Sequence, residues 1–204
     1  MGPMSSILAA LYDPIMRRTE EACLREWRAE LLRDLRGAVL EIGAGTGANV
    51  PHYPRTLDRL VLTEPDPAML KRLRRHALPP GAETLEADVS ALPFEAGSFD
   101  VVVGTLVLCS VGSQESAISE IARVLKPGGA FVFLEHVAGH GARLRWQRRI
   151  EPFWCRLAGH CHLTRDTEAA IGRRFALAPV ARESMRKALP MIRPTIRGVA
   201  HLPS

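Results

Sequence analysis

The chain has 204 residues, of which 47% are hydrophobic and 24% charged, so we predict that residues 1–204 fold as a single globular domain. The net charge of +5 comes from an excess of arginine, which fits a solvated surface better than a nucleic-acid interface, and no nucleic-acid partner is expected. The apolar runs are too short to span a bilayer, so no transmembrane segment is expected. The four cysteines form no Cys-x-x-Cys pair and follow no secretory signal, which favours reduced thiols in a cytoplasmic protein.

The N-terminal segment predicts a long amphipathic helix over residues 14–35. Leu24, Trp27 and Leu31 recur at the spacing of one helical face. The opposite face carries the charged residues Arg25, Glu26, Arg28, Glu30 and Arg33. Two interpretations remain open: the helix packs across a sheet, or residues 1–36, including Tyr12, form a helical lid over a bound ligand.

The next segment combines a buried strand with a glycine-rich turn. An apolar run at residues 39–42 leads into three glycines that alternate with small residues: Gly43, Gly45 and Gly47. Glycine permits unusual φ and ψ values and lets a ligand lie against the main chain. A second apolar run, at residues 60–63, ends in Glu64, where an acidic residue often holds a ribose. The combination favours a nucleotide-type ligand over a purely structural turn.

The third unit begins with a helix signal and ends in an aspartate. Asp66 followed by Pro67 is typical of a helix N-cap and first helical position. Residues 83–88 predict a third strand with Asp88 at its tip. Asp88 fits either a ligand contact at the strand end or a helix or turn cap.

Two further strands and a helix complete the regular part of the chain. Strands four and five are predicted at residues 101–104 and 130–136. The helix between them ends at residues 126–129, where proline and glycine interrupt it. This alternation predicts an α/β fold with a parallel sheet and helices on both faces.

The C-terminal third departs from the alternation. Residues 140–172 predict a helical insertion over the substrate side, with an arginine-rich helix at residues 142–158 that also carries aromatic side chains. That helix has three interpretations: a solvated face with one packed side, a wall of a substrate pocket, or a peripheral membrane contact. Residues 175–181 and 192–202 are predicted as two closing strands.

The chain resembles class I S-adenosylmethionine (SAM) methyltransferases in its Glu-x-Gly-x-Gly-x-Gly pattern, which begins at Glu41. The resemblance implies a Rossmann-like, seven-stranded, mostly parallel sheet with an antiparallel C-terminal hairpin. It implies SAM as cofactor and S-adenosylhomocysteine as product. In the family the glycines pass along the methionyl part, Glu64 binds the ribose, and Asp88 and the Val89 N–H meet the adenine. The same resemblance assigns cofactor contacts to Tyr12, Glu41, Ala44, Pro65, Met69, Thr105 and Leu106, with the Glu41 carboxylate suited to the methionyl and sulfonium part.

Several segments of the second half resemble the methyltransferase-like thiol S-methyltransferases. They are residues 105–111, 123–131, 135–137, 161–165 and 193–200. The resemblance implies a small-molecule acceptor, with a small lipophilic thiol as the expected substrate. Animal members of this group carry an N-terminal hydrophobic membrane anchor, for which this sequence offers no counterpart.

Other functions remain as alternatives to thiol methylation. Quinone C-methylation and amine or phospholipid N-methylation use the same scaffold, and a non-catalytic SAM-binding module belongs to a different functional class. Base methylases carry an Asn/Asp-Pro-Pro-Tyr/Phe signature after strand four, whereas residues 104–107 here read Gly-Thr-Leu-Val. A nucleic-acid base is therefore not expected as the acceptor.

One histidine is a candidate catalytic base. His136 is predicted at the C-terminal tip of strand five, where it could deprotonate a thiol that is only a few per cent ionised at neutral pH; a structural role is the alternative. The run His160-Cys161-His162 suggests a metal site, but alternate residues of a strand point to opposite faces and no fourth ligand is evident. No metal is predicted.

Overall fold

The computed structural model describes residues 6–203, and their side chains from residue 9 onward. The chain begins with a continuous helical segment, α1, a π-helical turn and α2, followed by a sheet of alternating strands and helices. The helices are α1 Ser6–Thr19, π turn Glu20–Leu24, α2 Arg25–Leu32, α3 Pro67–Leu73, α4 Gln114–Val124, α5 Gly141–Leu157 and α6 Thr167–Gly172. The strands are β1 Ala38–Ile42, β2 Arg59–Thr63, β3 Glu83–Leu85, β4 Phe99–Thr105, β5 Leu125–His136, β6 Ala176–Leu177, β7 Ala181–Ser184 and β8 Pro194–His201.

The sheet has the order β3-β2-β1-β4-β5-β8-β6, with β7 also paired to β8. The first five strands run parallel to one another, and β8 runs antiparallel to β5. Because β6 and β7 pair with successive parts of β8, the eight stretches fill seven strand positions. The predicted seven-stranded, mostly parallel sheet with antiparallel C-terminal strands is confirmed.

Several predicted strand limits are wrong by a few residues. The third strand ends at Leu85, so Asp88 lies beyond it and not at its tip. Strand five begins at Leu125 and runs through residues 126–129, which were expected to be a break after the helix. The first closing strand is interrupted between Leu177 and Ala181, where Pro179 lacks the N–H that a continuous ladder needs.

Hydrophobic cores lie on both faces of the sheet, because alternate residues of each strand point to opposite sides. On one face, Leu40 and Val102 pack with α4 and α6. On the other face, Val39 and Val101 pack with α2 and α3. The expected arrangement of helices on both faces is therefore present, and it leaves the C-terminal edge of the parallel strands for ligands.

The N-terminal helix differs from its predicted form in two ways. It begins at Ser6 and passes through Pro14, which was expected to start it. A π turn, at Glu20–Leu24, then interrupts the α-helix. Arg28, assigned from the sequence to the solvated face, is only 4% exposed, whereas Trp27 is buried as expected.

Helix α5 presents much of its apolar surface to solvent. Phe153 and Leu157 are 70% and 74% exposed, and Gln147 is the fully buried residue of the helix. The interpretation of one packed apolar side therefore fails for these residues, and the membrane-surface contact stays a prediction. Within residues 6–203, no helix is both long enough and apolar enough to cross a membrane.

Candidate active site

The glycine loop after β1 places its three predicted residues in left-handed backbone conformations. Gly43, Gly45 and Gly47 have φ values of 57°, 58° and 97°. A Cβ atom at Gly43 would lie 2.7 Å from Val107, and one at Gly47 would lie 2.9 Å from Leu73. At Gly45 a Cβ would meet nothing within 4 Å. Gly43 and Gly47 thus permit close packing, while Gly45 borders open space in which a ligand can lie.

Glu64 joins the glycine loop to the end of β2. Its Oε2 accepts a hydrogen bond from the Gly45 N–H at 2.8 Å, and its Oε1 accepts one from the Asp66 N–H at 2.9 Å. Burial raises the pKa of Glu64, and these backbone bonds oppose the rise. Each oxygen keeps a second lone pair, so the carboxylate can accept from ribose hydroxyls without losing either bond.

The remaining predicted cofactor residues lie along the same side of the sheet. Asp66 caps α3 by accepting from the Ala68 and Met69 N–H groups, as the sequence predicts. Asp88 Oδ1 accepts from the backbone and hydroxyl of Ser90 at 2.9 and 2.7 Å. Burial would raise the pKa of Asp88, but these two bonds hold it below its usual value. The turn-capping role of Asp88 is therefore present, and its contact with adenine stays a prediction.

The other predicted cofactor contacts are buried or half-buried. Val89 and Met69 are buried, and Pro65 is half-buried beside Glu64. Ala44 is buried in the glycine loop, where its N–H donates to the Thr63 carbonyl. Their roles as cofactor contacts stay predictions.

Glu41 lies within a buried hydrogen-bond network that the sequence did not reveal. Its two carboxylate oxygens accept from Asn49 Nδ2 at 2.8 Å and from the Tyr53 hydroxyl at 2.7 Å. Burial raises the pKa of Glu41 to about 7, against these two bonds and the charge of Arg28. The Glu41 carboxylate therefore braces the loop from within the protein.

Arg28 connects the N-terminal helix to this network. Its Nη1 donates to Asn49 Oδ1 at 2.7 Å and to Thr105 Oγ1 at 2.8 Å. Its Nη2 forms an ion pair with Glu20 at 3.1 Å. Arg28 thus links the π turn, the glycine loop and the end of β4, although its charge had suggested a solvated position.

The segment around Tyr12 approaches the glycine loop, as the lid interpretation expects. The Thr46 hydroxyl donates to Asp13 Oδ1 at 2.5 Å, which ties α1 directly to the loop. Burial raises the pKa of Tyr12 to about 12, and the surrounding charged groups include Arg28, Glu20, Cys109 and Cys161. The contact of Asp13 with Thr46 brings the segment around Tyr12 to the glycine loop, and the role of Tyr12 as a cofactor contact stays a prediction.

The loop after β4 has a strained start. Leu106 has a φ of 60°, which is uncommon for a large side chain and often marks a functional site. Glu135 Oε1 accepts from the Val107 and Leu108 N–H groups at 2.9 and 3.0 Å. Arg165 donates to the carbonyls of Leu108 and Val111, both at 2.6 Å. The loop is therefore clamped from two sides, and Val107 places it against Gly43.

Three side chains from separate segments meet beside this loop. Cys109 follows β4, His136 ends β5, and Cys161 lies in the loop after α5; their ligand atoms all lie within 4.8 Å of one another. His136 Nε2 is 2.9 Å from Cys161 Sγ, and His136 Nδ1 is buried without a hydrogen-bond partner. The predicted base thus meets a cysteine of its own chain, and its proton transfer from a substrate stays a prediction.

The contacts within this cluster shift the pKa values of its members. The sulfur contact between Cys109 and Cys161 raises the pKa of Cys109 and lowers that of Cys161, because the two atoms can share one proton. Burial would lower the pKa of His136, but the hydrogen bond with Cys161 and the negative charges of Cys161 and Glu135 together raise it. No short sequence motif contains all three residues, which is why the sequence reveals them only one at a time.

A protein-family model and a curated relative show which family the chain belongs to. A protein-family model described as a methyltransferase domain matches residues 40–133, from β1 to β5. The chain is 37% identical over 171 residues to the thiol S-methyltransferase TMT1A of Homo sapiens, an alignment that covers 80% of this chain and 70% of that protein. The chain belongs to the SAM-dependent methyltransferase family. It is therefore an enzyme whose cofactor is SAM.

Two further similarities indicate how widely the scaffold is used. The chain is 33% identical over 135 residues to the phosphatidylethanolamine N-methyltransferase of Cereibacter sphaeroides, which covers 63% of this chain and 64% of that protein. The [4+2]-cyclase SpnF has a similar fold, with a TM-score of 0.72 at 16% identity over 98% of this chain and 97% of that one. The shared fold thus identifies only the scaffold. The acceptor has to be inferred from the residues that surround the acceptor site.

Proposed function

We propose that this methyltransferase moves the methyl group of SAM to the sulfur of a small, largely apolar thiol. The observation that carries the proposal is the 37% identity to a thiol S-methyltransferase, which extends over 80% of the chain. That alignment is much longer than the cofactor-binding part at residues 40–133. It must therefore include residues on the acceptor side as well as residues that any SAM enzyme shares.

The proposal is also supported by the position of the acceptor side, which is the region around Cys109, His136 and Cys161, next to the cofactor loop. Methyl transfer from a sulfonium is an in-line displacement, so the enzyme has to align the acceptor atom with the methyl group. Val107 packs on Gly43 of the cofactor loop, and Cys109 follows it in the chain. The acceptor therefore lies between the Tyr12 segment and the cluster of Cys109, His136 and Cys161.

In this proposal the cofactor contacts have distinct tasks. The glycine loop, with Ala44, follows the methionyl part, and Gly45 gives the ligand access to bare backbone. Glu64 binds the ribose, while Asp88, Val89, Met69 and Pro65 surround the adenine. Tyr12, Thr105 and Leu106 stand at the reacting end.

Phosphatidylethanolamine-type N-methylation is the second candidate, and the 33% identity to such an enzyme favours it. Its acceptor is an amine, which has to lose a proton to become nucleophilic. The alignment with that enzyme covers 63% of this chain, against 80% at 37% identity for the thiol S-methyltransferase. Thiol methylation remains the better supported function.

The experiment is a measurement of S-adenosylhomocysteine formation with matched panels of thiols, amines and phenols, together with the mass of each methylated product. We expect thiols to be methylated. The Gly45→Val variant, which should not bind SAM, is the control. Methylation of amines with none of thiols would refute the proposed acceptor and leave the enzyme class intact.

A further inference from the structure

The group formed by Cys109, His136 and Cys161 has the composition of a soft metal site. All three residues are at least nine-tenths buried, at 2%, 4% and 8% exposure. Two thiolates and one imidazole are the ligands that zinc takes at catalytic sites of the Cys₂His type, where a water or substrate holds the fourth position. We propose that these residues bind a zinc ion whose fourth position takes the sulfur of the acceptor thiol; the acceptor part rests on the proposed function.

Unpartnered polar atoms gather in the same place. Among the described residues, the buried side-chain nitrogen and oxygen atoms without a hydrogen-bond partner are Glu135 Oε2, His136 Nδ1 and Trp154 Nε1. His136 is itself in the group, and Glu135 precedes it in the chain. Buried polar atoms in native proteins are nearly always bonded, so His136 Nδ1 and Glu135 Oε2 each need a partner such as a bound water beside the ligand group.

The backbone holds the two sulfur-bearing segments together. The His162 N–H donates to the Cys109 carbonyl at 2.8 Å. Arg165, from the same segment as Cys161, binds the carbonyls on either side of Cys109 in the chain. These bonds fix the relative position of the two cysteines without using their side chains, as a prepared ligand set requires.

The distances are close to those that zinc needs. Zn–S bonds of about 2.3 Å and Zn–N bonds of about 2.0 Å in a tetrahedron place sulfur and nitrogen ligands about 3.5 Å apart. His136 Nε2 and Cys161 Sγ are 2.9 Å apart, so the ring and the thiol must separate by about 0.6 Å on binding. A small change in side-chain torsion provides that movement.

A neighbouring group with similar composition fits a metal less well. Glu151, Cys155 and His162 also lie within 4.8 Å of one another, but they are only half-buried. Glu151 already accepts from Thr164 at 2.5 Å and contacts His162 Nδ1 at 3.0 Å, and Cys155 donates to the Cys161 carbonyl. Its three residues are half-exposed, whereas the three residues of the first group are buried from solvent. No fourth ligand joins the first group from the described residues.

The ion would change the chemistry of the acceptor. On binding, the thiol S–H bond breaks, its proton passes to water, and the sulfur forms a bond to zinc as a thiolate. A lone pair of that sulfur then attacks the methyl carbon, and the carbon–sulfonium bond breaks with its electron pair left on the cofactor sulfur. The products are the methyl thioether and S-adenosylhomocysteine. Two thiolate ligands already neutralise the ion, so the bound acceptor keeps most of its nucleophilic charge.

The first test measures zinc in protein purified without chelators or a histidine tag, by plasma mass spectrometry. Stoichiometric zinc is expected in the wild-type protein and in Cys23→Ser, whose cysteine is buried elsewhere. Cys109→Ser and Cys161→Ser should each lower zinc affinity about 100-fold or more, since even residues behind the ligands change affinity 10–100-fold. Loss of zinc in Cys155→Ser with retention in Cys161→Ser would assign the ion to the neighbouring group and overturn the proposal.

A second test does not depend on whether those variants fold. Cobalt(II) added to the metal-free wild-type protein should give thiolate-to-cobalt charge-transfer absorption and the strong visible bands of tetrahedral coordination. Addition of 2-mercaptoethanol analogues with apolar substituents should shift these bands, while the matching alcohols should not. A disulfide between Cys109 and Cys161, or absence of the charge-transfer band, would overturn the site.

The outcomes separate this inference from the proposed function. Full thiol turnover by metal-free protein would overturn the zinc proposal and leave thiol methylation intact. Stoichiometric zinc in a protein that methylates amines but no thiol would overturn the acceptor half of the proposal together with the proposed function. Thiol turnover that falls about 100-fold on zinc removal and returns on zinc addition would support both.

Discussion

The cofactor side and the acceptor side of the active site differ in how completely their polar groups are bonded. On the cofactor side, Glu41, Glu64 and Arg28 all have hydrogen-bond partners within the protein. On the acceptor side lie Glu135, His136 and Trp154, which hold the unpartnered buried side-chain atoms found in the described part of the chain. Both sides are therefore held by hydrogen bonds within the protein, but the acceptor side also contains buried polar atoms that lack a partner.

The largest effect is expected from blocking the cofactor side. Gly45→Val should leave no SAM binding detectable by calorimetry, because the branched side chain enters the open space beside Gly45 and disfavours its φ of 58°. Gly81→Val is the matched control, since Gly81 has a φ of 76° with open space around it and is exposed. Gly81→Val should bind SAM normally. Normal SAM affinity in Gly45→Val would show that the loop is not the cofactor site.

A change on the acceptor side should separate turnover from cofactor binding. His136→Ala should lower thiol turnover about 100-fold and leave SAM affinity within about twofold. The control is His140→Ala, an exposed histidine at the start of α5. If His136 is a general base, the loss of turnover in His136→Ala should shrink as the pH rises past the thiol pKa. If His136 is a metal ligand, the loss of turnover should persist at high pH. Equal losses of SAM affinity and turnover would contradict the division into two sides.

Removing the ribose contact should have a smaller effect. Glu64→Ala should weaken SAM binding by about 1.5–3 kcal/mol, the range for hydrogen bonds to charged groups, as measured by calorimetry. Glu83→Ala removes an exposed carboxylate from the neighbouring strand and should change the affinity little. Unchanged affinity in Glu64→Ala would refute the ribose assignment.

The smallest effect concerns the pH dependence of stability on the cofactor side. The folded-state pKa of Glu41, about 7, exceeds its ordinary value of 4.5, so the folded protein binds this proton more tightly than the unfolded chain. Its contribution to stability is complete below about pH 4.5 and is lost as the pH rises through about 7, at about 1 kcal/mol per pH unit. Urea unfolding should show that Glu41→Gln has a flatter dependence between pH 5 and 7 than the wild type. Identical slopes would show that Glu41 has no raised pKa in the folded protein.

The sequence predicts the backbone features around the glycine loop well because their signals are local. The Asp66 cap, the glycine loop and the acidic end of β2 depend on backbone geometry over a few neighbouring residues. Arg28 was placed wrongly because its charge suggested solvent, although it follows Leu24 by four residues and so lies on the buried face of the helix. A buried arginine with bonds to Asn49 and Thr105 depends on segments that the helix pattern does not contain.

The acceptor side could not be assembled from the sequence for a different reason. Cys109, His136 and Cys161 lie in three loops or strand ends, and only the sheet order brings them together. The sequence pattern drew attention to Cys161 through its histidine neighbours, but the histidine that meets it is 25 positions away. Long-range contacts of this kind are fixed by topology, which local periodicity does not encode.

Because of the π turn at Glu20–Leu24, the orientation of the N-terminal segment depends on the number of residues in that turn. A π turn accommodates one more residue than an α-helical turn, and each residue of an α-helix advances the direction of the side chains by about 100°. Deletion of Ala22 would allow a regular helix but would rotate α1 relative to Arg28, carrying Asp13 away from Thr46 and Tyr12 away from the acceptor side. Insertions and deletions in this turn would therefore place a different residue of α1 beside the acceptor, although the sequence of α1 itself stays the same. Such changes offer a route to new acceptor preferences.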